Sequence, residues 1–511
     1  MLYNLKWLEP GNQFPPMCEH DRLVRYHQNA AIFNGDHFGS SVLRHRDGVE
    51  ELPVDVFLRS ADKISRVVGN FDDVISFPVL LNYQRLMSVK MADLVCGEYP
   101  TISGSSPEEN EQLRQSRDHS MFDDKLYSTV LDISRYGDSI WRMFYDEDMH
   151  VTFTCWTPTQ WFPVVAQDGT NSVRYHCLAW RENRSEDPVR PDWRLHVQIH
   201  GTQPGELGYY TKREYRLNGD GKTIAEMISE EKKLTGLDHC AVIHLKAYSV
   251  TNSVYGYDDY MQIDSLMAEI MARIGQISVI LDKHADPNMT GPVSMLSLDE
   301  RTGEYHLQSG KFYAVSPGEE HPEYLTWEGQ LTSAFKQLEV LINQMYILSE
   351  MGAALLGSQE GSVTAVSGTA MRFKMVNPLA KARRIANALT RPVRQLFASM
   401  SDVSMMHVSV FWADGLPDDP RENIENCKLA TGETKMMPLE KAIMEFFGRS
   451  NEEAKAWIEQ IQEEMRAKQE LVGSEEVDDP NHPGPQDGTG VNSAKKGSET
   501  GLKNFHGLNN Q

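Results

Sequence analysis

The chain has 511 residues, with 50 Lys or Arg against 73 Asp or Glu and a formal net charge of -23. Its length predicts about two to four compact units, and no run of 18 apolar residues is present to cross a membrane as a helix. So acidic a chain excludes simple wrapping of a DNA duplex, which needs broad phosphate neutralisation, but not a passage through which DNA slides.

The opening MLYNLKWLEPGNQF has neither a basic n-region nor an apolar h-region, so no secretory signal is expected and the cytosol is the default compartment. Six cysteines, Cys18, Cys96, Cys155, Cys177, Cys240 and Cys427, form no CxxC pair and read as buried, reduced thiols.

Asp21 to Phe33 is the first candidate helix. A second spans about Asn82 to Val95, with Leu86, Val89, Met91, Leu94 and Val95 on an apolar side and Gly97 as its stop. Ser106 is an N-cap and Pro107 the first position of a polar helix, and a further helix covers about Phe122 to Arg135, ending near Gly137. From Ser139 the period changes to that of strands, so 139–250 reads as a β-rich unit.

Helical spacing returns at 258–283, with Ile263, Leu266, Met267, Ile270, Ile274, Ile277 and Leu281 on one stripe. Residues 286–325 form a small Gly- and Pro-rich module. Trp327 to Met351 is helical again, with Leu331, Phe335, Leu338, Leu341, Met345 and Leu348 on one face. After a strand at MHVSVFWAD come terminal helices, one opened by Pro438 and closed by Gly448, the next opened by a capping box at Ser450 and Glu453. Trp457, Ile461 and Met465 recur there at four-residue spacing, and 473–511 reads as a disordered tail. The fold class is α+β, mainly helical.

Residues 367–401 hold seven basic residues and no acidic one: Arg372, Lys374, Lys381, Arg383, Arg384, Arg391 and Arg394. The preceding loop contains Gly357, Ser358, Gln359, Glu360, Gly361, Ser362 and Thr364, small and polar with one charge. The segment reads as a long helix bent at Pro378, with a break into two helices as the competitor. At 100° per residue, Lys381, Arg383 and Arg384 cannot share one face. They and Arg372 and Lys374 are candidates for facing DNA or a neighbouring subunit. Arg391 and Arg394 are assigned to protein contacts.

Tests for chemistry give bland answers. Gly221, Lys222 and Thr223 resemble the end of a phosphate-binding loop, but the required first glycine is Arg216, and Asn218 to Gly221 suits a hairpin turn. His196 and His200 lie four apart on a strand and read as packing or surface histidines rather than metal ligands. Asp146, Glu147 and Asp148 read as a solvated hairpin tip, with calcium as the less favoured alternative, and Asp418-Asp419 and Asp478-Asp479 likewise. No residue receives a catalytic, metal or cofactor assignment.

The order of elements resembles the portal protein, or head-to-tail connector, of tailed double-stranded DNA bacteriophages. NYQRLMSVKMADLVCGEYPTI, YGDSIWRMFYDEDMHVTFTCWTPTQWFPVV, YGYDDYMQIDSLMAEIMARIGQISVILDKHADPNMTGP and SGTAMRF carry the likeness, over roughly residues 20–470. The resemblance implies a cyclic ring, usually of twelve subunits, at one capsid vertex. It implies a wing over 1–250, stem helices at 258–283 and 327–351, a clip at 286–325 and a tunnel loop at 357–366. A long kinked helix at 367–401, wing closure at 402–436 and a crown at 437–470 complete it. The implied role is non-enzymatic and needs no cofactor: a virion channel for DNA packaging, retention and ejection, made in the host cytoplasm. The implied partners are double-stranded DNA, the terminase large subunit, a head-tail adaptor, and the major capsid and scaffolding proteins. Another ring component without DNA passage, an adaptor or baseplate, is the alternative, and a nucleotide-dependent enzyme using Lys222 is the third.

Overall fold

The computed structural model describes residues 1–35, 81–187, 190–202, 207–248, 250–251, 253–285, 289–290, 296–298, 305–307, 318, 323–324, 331–356, 372–413, 420–432, 436–447, 449 and 451–475. The chain divides into two units, Met1–Pro417 and Asp418–Gln511. The expected loop residues 357–366, most of 286–325, the acidic pairs at 418–419 and 478–479, Gly448, Ser450 and the tail from 476 onward lie outside the described residues.

The first unit begins with α1 (His20–Phe33). Helix α2 (Tyr83–Cys96) starts where the Asn82 side chain accepts the Arg85 N–H at 3.0 Å. Strand β1 (Thr101–Ser103) leads to α3 (Pro107–Ser120), where Ser106 Oγ accepts from Glu109 N and the Glu109 carboxylate from Ser105 N. These bonds satisfy orphan donors of the first turn, which is why so polar a sequence is helical there. Met121, in the left-handed region, turns the chain into α4 (Phe122–Tyr136). Gly137 ends α4 at φ +84°, and a Cβ there would lie 2.7 Å from the backbone of Gly256 and Tyr257. Only glycine fits both the dihedral and the approach.

Strands follow. β2 (Asp138–Tyr145) pairs with β3 (Val151–Trp156) and with β9 (Val242–Lys246). β4 (Trp161–Val165), β5 (Val173–Asn183), β6 (Trp193–Gly201), β7 (Tyr209–Leu217) and β8 (Ile224–Leu234) form a five-stranded meander in that order. The pairings between these strands are antiparallel, and an isolated parallel bridge joins Leu2 to Val164 of β4.

Helix α5 (Asp264–Ala285) and α6 (Leu331–Leu348) bracket a small antiparallel module. In it β10 (Met289–Thr290) pairs with β13 (Glu323–Tyr324), and nested between them β11 (Leu296–Leu298) pairs with β12 (Tyr305–Leu307). Helix α7 (Val376–Ser401) follows, and β14 (Ser409–Phe411) returns to pair with β1.

The two largest buried clusters among the described residues organise this unit. The larger joins α2, α4, α5, α7 and the β2–β3–β9 sheet around Trp141, Phe122, Phe153 and Phe397. The second covers one face of the five-stranded sheet with Leu2, Trp7, Leu8, Phe14 and Leu23 from the N-terminal segment. Each such side chain, fully buried, contributes about 1.5–3 kcal/mol.

The second unit holds α8 (Pro420–Thr431), α9 (Leu439–Phe447) and α10 (Asn451–Glu475). Ala442, Ile443 and Ala454 are its buried centre, while the Trp457, Ile461 and Met465 row is exposed. Helix α8 has no counterpart among the expected helices: its sequence has few apolar residues, although Asp419, Pro420 and Glu422 are start signals. The cysteines are reduced, but Cys18 is exposed rather than buried, and Cys155, Cys240 and Cys427 are half-buried.

Candidate functional site

The cationic segment does not form one helix bent at Pro378. A helical turn at Arg372–Lys374 stops at Met375, and α7 starts at Val376. Pro378 therefore sits in the first turn, where its missing N–H has no partner to lose, and only Pro392 lies in the helix interior. Residues 367–371 lie outside the described residues.

One face of α7 is apolar and complete. Ile385, Leu389, Val393, Leu396 and Phe397 are all at most 1 % exposed. Phe397 meets the Phe122 ring edge-on at 4.9 Å. The cations are sorted by this anchoring. Lys381 is buried: its Nζ lies 2.7 Å from Asp259 Oδ1 and donates to Ser349 O at 3.1 Å. Lys381 thus ties α7 to the segments entering α5 and leaving α6, and its candidacy for facing DNA or a neighbour is corrected. Arg384 is also committed within the chain, donating to both Glu350 oxygens at 2.9 Å and lying over the Tyr248 ring. Arg394 Nε and Nη2 donate to Val408 O and Met405 O, holding the turn after α7.

Lys374, Arg383 and Arg391 are exposed, and none joins an ion pair among the described residues. Arg372 is exposed as well. Beside them, a cleft of 690 Å³ opens between α2, α7 and β14. Leu94, Val95, Leu379 and Trp412 line it, with Arg372 and Arg383. Phe373, 73 % exposed, and Phe411, 66 % exposed, line it as well. The surface is therefore apolar with attached positive charge, suited to contact rather than bond making.

The other sequence motifs fall into structural roles. Asn218 to Gly221 forms the turn between β7 and β8. The Asp220 carboxylate accepts from Lys222 N, Thr223 N and the Thr223 hydroxyl. A carboxylate thus occupies the loop amides that a phosphate would need, and a strand follows where a helix N-terminus is required. His196 stacks on Trp180 and lies 2.9 Å from Glu182 Oε2. His200 is buried against Tyr210 and is directly opposite His176 in the sheet. Burial pushes His176 down to about 3, with His244 adding to the effect. His200 is likewise lowered to about 3 by burial, then by the charge of Arg142. Both imidazoles are neutral packing groups.

Two constellations escaped the sequence reading. Asp138, fully buried, accepts from Gly256 N at 2.8 Å and the Tyr26 hydroxyl, and its Oδ1 lies 2.6 Å from His244 Nε2. Burial, then Asp138, raises the Tyr26 hydroxyl well above its ordinary value. This network locks α1 to β2 and β9. The second brings His119, Asp146 and His150 together at the β2–β3 tip. The acidic triplet is at a hairpin turn as its composition suggests, but no local signal places His119 beside it.

No protein-family model and no curated protein matches this chain. Among solved structures it is similar to a chain in the neck of an empty GTA particle computed with C6 symmetry, at 11 % identity and a TM-score of 0.44, covering 71 % of this chain and 89 % of that one. It is similar to a chain in the virion of a native gene transfer agent particle at 11 % identity and a TM-score of 0.42, covering 76 % and 92 %. A chain in the neck of a native GTA particle computed with C12 symmetry gives 11 % identity and a TM-score of 0.43, covering 75 % and 93 %. These neighbours are particle components. No residue correspondence is drawn from them.

Proposed function

We propose that this chain is a portal subunit: one member of a closed ring at a capsid vertex through which double-stranded DNA is packaged, retained and ejected. The observation that carries the reading is α6. Phe335, Val340, Ile347 and Leu348 are 51 %, 52 %, 62 % and 42 % exposed on a helix that otherwise packs on α5 and the core. Apolar surface left open by a single chain is covered when copies close into a ring. The α5–module–α6 excursion supports stem and clip roles for 258–283, 286–325 and 327–351, and the β1–β14 pair supports wing closure by the strand near 409.

In this reading 357–366 is the tunnel loop. Of the candidate cations, the exposed Arg372, Lys374 and Arg383 are assigned to the bore or to a neighbouring subunit. Sliding DNA requires no base readout, so a few cations on an acidic wall suffice. The module would dock the terminase large subunit and then a head-tail adaptor, with capsid and scaffolding proteins meeting the outer surface.

Particle imaging of the purified chain tests this. A ring with an axial opening of roughly 20 Å, wide enough for a duplex, is expected. A strict monomer at every salt concentration overturns it, and a ring with an occluded axis shifts the reading to an adaptor or baseplate component.

A further inference from the structure

The His119, Asp146 and His150 cluster has a geometry that its separate parts do not explain. His119 is in the last turn of α3, while Asp146 and His150 flank the turn between β2 and β3. His119 Nε2 is 2.6 Å from Asp146 Oδ2, and His150 Nδ1 is 3.9 Å from that same oxygen. All three donor atoms lie within 4.8 Å of one another. The other carboxylate oxygen is already used: Asp146 Oδ1 accepts Asp148 N at 3.0 Å and His150 N at 2.8 Å. These bonds fix the carboxylate and leave Oδ2 turned toward both imidazoles.

A simple surface ion pair accounts for His119 alone. It does not account for a second imidazole set edge-on to the first, with ring centroids 5.2 Å apart. Two protonated rings around one carboxylate repel each other, whereas two neutral rings and one carboxylate form a ligand set. A tetrahedral ion with bonds of about 2.1 Å holds its donors about 3.4 Å apart, between the two separations seen here. Two imidazole nitrogens and one oxygen favour a borderline divalent metal over calcium or magnesium, which prefer oxygen alone. Glu147 and Asp148 add negative charge beside the site, and His150, with its side chain 67 % exposed, leaves a coordination position open to solvent.

We propose that His119, Asp146 and His150 bind a borderline divalent transition-metal ion, with Zn²⁺ as the representative, which ties the end of α3 to the β2–β3 hairpin. The site is independent of the portal reading. Its role is to cross-link the end of α3 to the β2–β3 hairpin.

The test uses the full chain, stripped with a chelator and titrated with Zn²⁺ by calorimetry, with Co²⁺ absorption as a spectroscopic reporter of nitrogen ligation. One Zn²⁺ equivalent per chain is expected, weakened at least tenfold by His119→Ala and by His150→Ala and retained in Asp148→Asn. Circular dichroism confirms that each variant is folded, which exposed side chains allow. Zn²⁺ binding equal in wild type and both histidine variants overturns the proposal. So does an equal loss in Asp148→Asn, which would assign the ion to the acidic turn.

Discussion

Helices α7 and α6 are both amphipathic in sequence, yet the chain treats them differently. On α7 every large apolar side chain from Ile385 to Phe397 that points inward is enclosed by α2, α4 and the neighbouring strands. Among the described side chains of α6 only Met345 is fully enclosed, and Val340 and Ile347, one heptad apart, are exposed. From Ile385 to Phe397 the first helix is satisfied by its own chain, while Val376 in its first turn is 51 % exposed. The second carries apolar surface in excess of what one chain covers, so the same kind of periodicity encodes a core in one place and an exposed apolar face in the other.

The comparison can be broken most directly by truncation. Phe397→Ala is expected to cost about 3–5 kcal/mol in urea unfolding, because it opens a cavity against Phe122. Ile347→Ala should change the stability of the isolated chain by less than about 0.5 kcal/mol. In the portal reading, Ile347→Glu should leave the fold intact and abolish rings in size-exclusion chromatography. Equal unfolding costs at 397 and 347 would erase the distinction.

A smaller effect sharpens the sorting of cations along α7. Lys381→Ala leaves Asp259 unpaired at a largely buried site and should destabilise the chain by about 3 kcal/mol. The measurement is again the urea midpoint, and a neutral result would place Lys381 outside the core.

The five-stranded sheet should respond to acid where α6 does not. His176 and His200 have folded values far below about 6.5, the ordinary value for the unfolded chain, so the unfolded state binds more protons as pH falls. Their stability contribution is intact above pH 6.5 and is lost progressively between 6.5 and about 3. At pH 5 the cost is about 2 kcal/mol for each histidine. His176→Gln should flatten the dependence of unfolding midpoint on pH between 7 and 5; an unchanged slope would mean that His176 titrates normally.

The smallest expected effect is at Arg383. Arg383→Ala should alter folding by less than about 0.5 kcal/mol, since the side chain is exposed and joins no ion pair among the described residues. In the portal reading it should weaken ring assembly or DNA retention more than stability. A large loss of stability there would mean that Arg383 belongs with Lys381.

Much of the fold was legible locally. Asn82, Ser106 with Pro107, and Gly137 mark helix ends because a cap bonds or bends backbone within four residues of itself. The change from helical to alternating spacing near 139 marks the strands for the same reason. The kink assigned to Pro378 failed because the helix start, which decides whether a proline is interior, moved to Val376. Helix α8 was missed because its apolar stripe is thin.

The sequence by itself determined several element ends, at Asn82, Ser106 and Gly137, the decoy nature of the Gly221-Lys222-Thr223 loop, and the presence of an amphipathic cationic segment. Those depend on bonds and sterics spanning a few residues. Only the tertiary structure decided that Lys381 is a buried tie to Asp259, that Gly137 and Gly256 meet back to back, and that His119 joins Asp146 and His150. Burial and pairing are set by elements distant in the chain, and charge or period along one segment carries no information about what will cover it.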